Sequence, residues 1–92
     1  MSVTVRIPTI LRNYSGGAST VELAEAGSLV EVLAALETAA PGIGARVLDE
    51  SGALRRFVNV YLGEDDVRFL EGLATNVPDG ATVSIIPAVA GG

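Results

Sequence analysis

The 92-residue chain contains no cysteine, no histidine, no lysine and no tryptophan. Each absence removes a class of chemistry. Without Cys and His, the usual ligand sets for zinc, iron–sulfur clusters and haem are missing, as are disulfides, cysteine nucleophiles and the Ser-His-Asp relay. Without lysine there is no Schiff base and no Ser-Lys pair. Eleven Asp and Glu residues leave carboxylate chemistry open, but no side chain has an ordinary pKa near neutrality. The expectation is a protein that is not an enzyme and has no metal site. Aromatic residues make up only 4%, and six arginines face eleven acids for a net charge of -5. That balance disfavours nucleic acid, which calls for basic stripes and stacking platforms, and it disfavours anionic membrane surfaces. The opening Met1-Ser2-Val3-Thr4-Val5-Arg6 has no basic region followed by an apolar stretch. Neither a signal peptide nor a membrane span is expected there, and a cytoplasmic location is the default.

What remains is enough for one small packed domain, since 49% of the residues are hydrophobic. Val3, Val5 and Ile7 alternate with Thr4 and Arg6, the period-two pattern of a strand with one buried face, and Pro8 marks its end. Ser15-Gly16-Gly17 is a turn signal, after which Val21 and Leu23 alternate with Thr20 and Glu22 in a second strand. Gly27 breaks that strand. Ser28-Leu29-Val30-Glu31 fits a capping box, in which hydroxyl and carboxylate each satisfy an otherwise orphan amide. Leu29, Val32, Leu33 and Leu36 then form one apolar helical stripe, and Pro41-Gly42 stops the run.

Ile43 to Glu50 reads as a second helical turn carrying Val47 and Leu48 inward. Arg56 to Leu62 is the most strand-like segment, with Val58, Val60 and Leu62 on one face and Phe57, Asn59 and Tyr61 on the other. Val67 to Phe69 suggests a brief strand, and Leu70 to Val77 reads as irregular. Pro78-Asp79-Gly80 is a β-turn with Pro78 suited to its second position, and Val83 and Ile85 alternate with Ser84 and Ile86 in a final strand. Val3, Val5, Leu29, Leu33, Leu36, Val58, Val60, Val83 and Ile85 are the expected core.

The order strand, strand, helix, strand, weak strand, strand predicts an α+β fold. If the first and last strands lie side by side, the main helix packs across one face of a mixed sheet, giving the ubiquitin-like β-grasp. A ferredoxin-like rival would want a second substantial helix between residues 63 and 80, where Gly63, Gly72 and Pro78 interrupt. The expected organisation is a domain over residues 1–86 and a flexible tail over 87–92.

That tail, Pro87-Ala88-Val89-Ala90-Gly91-Gly92, carries no pattern of its own. Gly91 and Gly92 lack a Cβ, so a partner enzyme could thread Val89, Ala90, Gly91 and Gly92 through a narrow channel. The α-carboxylate of Gly92 would be the reactive handle of a chain without Cys, His or Lys. The bland alternative is a frayed terminus without chemistry. For docking, Phe57, Asn59, Tyr61 and Ile86 are candidates on the sheet face away from the helix, where exposed apolar residues mark a partner site; the alternative is ordinary half-exposed strand positions. Asp65 and Asp66 are adjacent and so diverge, which favours a turn or docking role over paired catalytic carboxylates. Arg55, Arg56 and Arg68 read as solvated surface charge or as contacts to an acidic partner.

Several stretches resemble the MoaD/ThiS family of ubiquitin-like sulfur carriers, and within it the branch serving cysteine biosynthesis. They are Val3 to Arg12 with Gly16-Gly17, Phe57-Val58-Asn59-Val60-Tyr61, Glu64 to Phe69, Gly72-Leu73-Ala74-Thr75, Pro78 to Val83, and the ending Ile85 to Gly92. The resemblance covers nearly the whole chain; between Ala18 and Leu54 only the pattern is kept. It implies a protein co-substrate. An adenylating enzyme of the ubiquitin-activating type would use ATP and Mg²⁺ to turn the Gly92 carboxylate into an acyl-adenylate, and a sulfurtransferase step would replace the adenylate by sulfur. The resulting thiocarboxylate would attack an aminoacrylate, formed from O-phosphoserine, on a pyridoxal-phosphate-dependent cysteine synthase. An acyl shift and a peptidase would then release cysteine. ATP, Mg²⁺ and pyridoxal phosphate belong to those partners, and none is bound by this chain. Alternatives are the small subunit of molybdopterin synthase, a ubiquitin-like modifier, or a plain interaction domain. Deleting Gly92 separates a carrier from a plain binding domain: activation is expected to be abolished while a binding domain would keep its partner, as read by pull-down and intact mass.

Overall fold

The computed structural model describes residues 2–24 and 27–87. Strand β1 spans Val3–Arg6 and is followed by a 3₁₀ turn over Thr9–Ser15 that buries Leu11. Strand β2 is Thr20–Leu23 and the short β3 is Gly27–Ser28. Helix α1 covers Leu29–Ala39 and α2 covers Gly44–Val47. Strands β4 (Val58–Leu62) and β5 (Asp65–Asp66) form a tight hairpin; β6 is Asn76–Val77 and β7 is Thr82–Pro87.

The main sheet runs β2-β1-β7-β4-β5. β1 lies parallel to β7, with Val5 opposite Val83, and β7 is antiparallel to β4, with Val60 opposite Ile85. First and last strands thus sit side by side in the middle, α1 covers one face, and the topology is the ubiquitin-like β-grasp expected from the pattern. All nine expected core residues are buried, joined by Ile7, Leu23, Val32, Ile43, Val47, Val67 and Val77 among others. Each such side chain contributes roughly 1.5–3 kcal/mol when fully removed from water.

Helix α1 begins as its sequence predicts. The Ser28 hydroxyl accepts from the Glu31 amide, and the Glu31 carboxylate accepts in return from the Ser28 amide at 3.0 Å. Gly27 takes a φ of +146° directly beneath this cap, where a Cβ would stand 2.8 Å from Glu31 Oε1. Glycine is needed there for its backbone and for the close approach of the carboxylate. The next amide, Leu29 N–H, is taken up by the Thr75 carbonyl at 2.9 Å, which ties the helix start to the chain before β6.

Four expectations are corrected. Val67–Phe69 is a 3₁₀ turn: Asp66 accepts from the Arg68 amide to start it, Val67 is buried beneath it, and the strand lies just ahead in Asp65–Asp66. The supposedly irregular Leu70 to Val77 holds a 3₁₀ turn at Gly72–Ala74 and strand β6, which pairs with β3 in a separate two-stranded sheet. Gly27, expected only to break a strand, is part of that sheet. Pro78 is the first rather than the second residue of its turn, because the Ala81 amide donates to the Pro78 carbonyl and Gly80 takes the positive φ of +84° at the third place. In addition, β4 starts at Val58, leaving Arg56 and Phe57 in the preceding turn.

Hydrogen bonds from backbone amides and serine hydroxyls hold three carboxylates below their ordinary values. Glu31 is lowered by the Ser28 amide and then its hydroxyl, and Glu37 by the amides of Gly42 and Gly44; for Asp49 the Ser51 hydroxyl leads, ahead of the Ala53 and Ser51 amides. A carboxyl whose folded pKa is depressed adds stability that is complete above the unfolded pKa and is lost as pH falls through the folded one. The melting temperature is therefore expected to be flat down to about pH 5 and to fall below about pH 4, less steeply in Glu37→Gln. Ser28→Ala is expected to cost about 1 kcal/mol at neutral pH, or roughly 4–8 °C in a domain of this size, read by thermal melting.

Candidate functional site

The register of β4 and β7 decides which side chains share a face. Val58, Val60, Val83 and Ile85 point into the core, so their neighbours Asn59, Tyr61, Ser84 and Ile86 project from the opposite side of the sheet. Asn59 lies directly opposite Ile86, and Tyr61 opposite Ser84. Ile86 is 46% exposed, which for an isoleucine in the middle of a sheet leaves a substantial apolar surface to water. Asn59 and Tyr61 are half-buried.

Phe57 occupies a different place from the other three candidates. It is 55% exposed in the turn before β4 and lines a groove of about 480 Å³ with Ile10, Leu11, Asn13, Tyr14, Arg46, Val58 and Pro87. Pro87 pairs with Val58 and closes β7, so this groove opens where the strand ends. On the other side of Pro87 lies a second groove of about 450 Å³, whose walls include Arg6, Arg12, Thr20, Ser84 and Ile86. The outward face and the end of β7 are thus continuous through Ile86 and Pro87.

Two features of this surface go beyond the reading from sequence. Ile10 stands 68% exposed on the rim of the first groove, carried there by the 3₁₀ turn after Pro8. Its apolar character gave no hint, because the turn has no periodicity that separates inward from outward positions; only Leu11 beside it is buried. The other is Arg68, which reaches back along the sheet. Its guanidinium donates to Asn59 Oδ1 at 2.8 Å and to the Arg55 carbonyl at 2.6 Å. The Asn59 carbonyl oxygen is therefore engaged inside the chain, and its side chain is held against the face by a residue nine positions away.

The tail residues Val89, Ala90, Gly91 and Gly92 lie outside the described residues. Among the described residues no group of three or more Asp, Glu, His or Cys is arranged to hold a metal ion, and no helix is long and apolar enough to cross a membrane. The acids are dispersed: Asp66 caps its turn, Asp79 binds the Ser2 amide, and Asp49 binds the Ser51–Ala53 loop. Such an arrangement offers a surface and a chain end. Among the described residues, Asp66, Asp79 and Asp49 are each engaged by backbone amides.

Comparison with known proteins gives the same outline. The model of the ThiS family matches residues 5–92. The sulfur carrier protein CysO of Mycobacterium tuberculosis is 51% identical, with both chains covered in full. Among solved structures, a chain of the BexX/CysO complex of Amycolatopsis orientalis superposes with a TM-score of 0.90 at 49% identity, covering 98% of this chain and 99% of that one. Mycobacterium tuberculosis CysO superposes with a TM-score of 0.88 at 48% identity, covering 95% and 99%. These relatives are named as carriers and not as enzymes.

If the outward face docks a partner, Ile86→Glu is expected to slow activation of the chain about tenfold or more while leaving the melting temperature within a few degrees. Unchanged thiocarboxylation kinetics in this variant would remove the face from the site.

Proposed function

The chain belongs to the ThiS family, and from that premise we propose that it is a sulfur carrier of cysteine biosynthesis whose reactive group is the Gly92 carboxylate. The observation that carries the reading is the position of β7. This strand is hydrogen-bonded on both sides, runs through the centre of the sheet, and delivers the chain at Pro87 to one end of the molecule, between two grooves. The five residues from Ala88 to Gly92 then have a reach of roughly 17 Å, enough to carry a terminal carboxylate into a partner's active site while the folded domain stays outside. Full-length identity of 51% to a named sulfur carrier supports the class of cargo.

The chemistry follows from what a carboxylate lacks. Its oxygen is a poor leaving group, so the carbonyl carbon accepts no nucleophile at a useful rate until that oxygen is changed. An adenylating enzyme of the ubiquitin-activating type joins a Gly92 carboxylate oxygen to the α-phosphorus of ATP and releases pyrophosphate. Sulfur delivered at the oxidation level of sulfide then attacks the carbonyl carbon, and AMP departs with that oxygen. The product is a thiocarboxylate, and no net oxidation or reduction has occurred on the chain. Thiocarboxylate sulfur is soft and ionised at neutral pH, which suits it to attack an electron-poor carbon of a three-carbon acceptor derived from O-phosphoserine. Transfer of the acyl group from sulfur to the acceptor's nitrogen and hydrolysis of the new amide by a peptidase return the Gly92 carboxylate. The acceptor's pyridoxal-phosphate-dependent synthase and the peptidase are further partners, and the chain's own part throughout is to present the carboxylate and dock.

The docking surface proposed for these enzymes is Asn59, Tyr61 and Ile86 on the outward face, with Phe57 at the groove beyond Pro87. The absence of any lysine supports the carrier in one further respect, since no side-chain amine of this chain can capture its own activated terminus.

The test is the intact mass of the protein co-expressed with its adenylating and sulfurtransferase partner, before and after a thiol-alkylating reagent. A mass gain equal to one sulfur for one oxygen, located at Gly92 and alkylatable in a protein without cysteine, is the expected result. An unmodified carboxylate beside a competent activating enzyme overturns it, and a branched peptide joining Gly92 to another protein's lysine assigns the chain to the modifiers instead.

A further inference from the structure

The net charge of -5 conceals a separation of charge along β7. The arginines gather toward the end of the strand where Pro87 stands, with Arg6, opposite Ser84, midway along it. Arg6 and Arg12 line one groove beside Pro87, and Arg46 lines the other. Arg55 and Arg56 immediately precede Phe57 and Val58, the latter paired with Pro87. Arg68 reaches the same end by bonding Asn59 Oδ1 and the Arg55 carbonyl. The opposite end of β7 is acidic: Glu22 faces Thr4 beside Thr82, the Glu64-Asp65-Asp66 hairpin turns there, and Asp79 lies three residues before the strand in the turn that binds Ser2.

Two further observations make the basic end a usable field. Arg12, Arg46, Arg55 and Arg68 direct hydrogen bonds to neutral oxygens, namely the Ile7 carbonyl, the Tyr14 hydroxyl, the Ala45 carbonyl, and Asn59 with the Arg55 carbonyl. These bonds aim the guanidinium groups without neutralising them. Three acids do lie toward this end: Asp49 and Glu50, which share a shallow groove with Arg55, and Glu37, which binds the amides of Gly42 and Gly44. Those three offset half of the six positive charges. From Thr82 to Pro87 the strand spans about 17 Å, so Glu22 and Asp65 at its start lie about two screening lengths of about 8 Å from Pro87, while Arg6 and Asp66 both stand level with Ser84 between the two ends.

We infer that this ring of arginines around the exit of the chain at Pro87 docks onto an acidic rim on the partner protein, surrounding the channel that receives the tail. The inference rests on the carrier reading above and names the kind of surface its partner presents. The guanidinium fork fits carboxylate and phosphate alike, and the surroundings of the ring favour an acidic protein rim over a phosphate-rich polymer. The ring is interleaved with the exposed apolar side chains of Ile10, Phe57 and Ile86, the mixture of arginine and apolar anchors typical of protein interfaces. Placed around the tail, the ring would both speed encounter and orient the chain end toward the channel before the apolar contacts form.

The experiment measures association of the full-length chain with its adenylating enzyme by stopped-flow or surface plasmon resonance at NaCl concentrations from about 50 to 500 mM, with the intact mass followed in the same preparations. Arg6 and Arg56 are exposed, so Arg6→Gln and Arg56→Gln keep the core, which thermal melting checks. The association rate constant is expected to fall about tenfold over that salt range and about three- to tenfold in each variant, and the double variant is expected to lose most of its salt dependence. Glu64→Gln at the far end is expected to leave the rate unchanged. Association that ignores both salt and the two substitutions overturns the arginine ring even if sulfur still appears on Gly92. Salt- and arginine-dependent association without any mass gain supports the ring and overturns the carrier reading. A duplex DNA probe that binds as tightly as the enzyme at equal salt overturns the assignment to an acidic protein.

Discussion

Strand β7 pairs with β1 in parallel and with β4 in antiparallel register, and every other element takes its position from those two ladders. The parallel contact joins Val5 to Val83, segments near opposite ends of the chain. Closing it costs conformational entropy that only burial can offset, which is why the residues at the junction are apolar and fully buried. Once β1 and β7 are side by side, β2 and β4 add to the flanks through short antiparallel pairings, and the chain between them must cross one face. Helix α1 makes that crossing, with Leu29, Val32, Leu33 and Leu36 set into the sheet.

A central strand with partners on both sides has a functional consequence as well as a structural one. Its core-facing residues are locked by packing, its outward residues are held rigidly at the pleat spacing, and its last residue leaves the sheet at a defined point. Ile86 and Pro87 are therefore positioned by the most constrained part of the molecule. The chain end beyond them starts from a fixed origin between two grooves. A carrier whose only reactive group is its terminus has good use for such an origin, since a partner can recognise the rigid domain and expect the carboxylate at a set distance.

The same strand sorts the charge. Sequence composition reads as a uniformly acidic protein, and the pattern of arginines along the chain, at 6, 12, 46, 55, 56 and 68, shows no cluster beyond one adjacent pair. Folding brings the ends of β1, β4 and β7 together, and with them the arginines. Arg68 shows how far this goes: a residue in a 3₁₀ turn after β5 completes its hydrogen bonds on Asn59 and on the backbone of Arg55. The sequence reads that position as solvated surface charge or a contact to an acidic partner; the side chain is exposed, and what the sequence does not show is that two neutral acceptors converge on it in space.

The sequence by itself determined the elements whose signals are local and repeated. Alternation in β1, β2, β4 and β7, the Ser28–Glu31 cap and the four-residue stripe of α1 each declare a buried side within a few residues, and together they set the β-grasp order and the nine core positions correctly. The missing Cys, His and Lys likewise exclude the chemistries that need those side chains. Only the tertiary structure decided the rest. Strands β3 and β6 are two residues each, too short to show a period, and exist because Gly27–Ser28 and Asn76–Val77 meet across the molecule. Val67 turns into a 3₁₀ segment because Asp66 caps it and the core takes up its side chain. The separation of Phe57 from Asn59, Tyr61 and Ile86, and the gathering of the arginines around Pro87, depend on register between distant strands, which is a property of pairing partners and cannot be carried by any one stretch of chain.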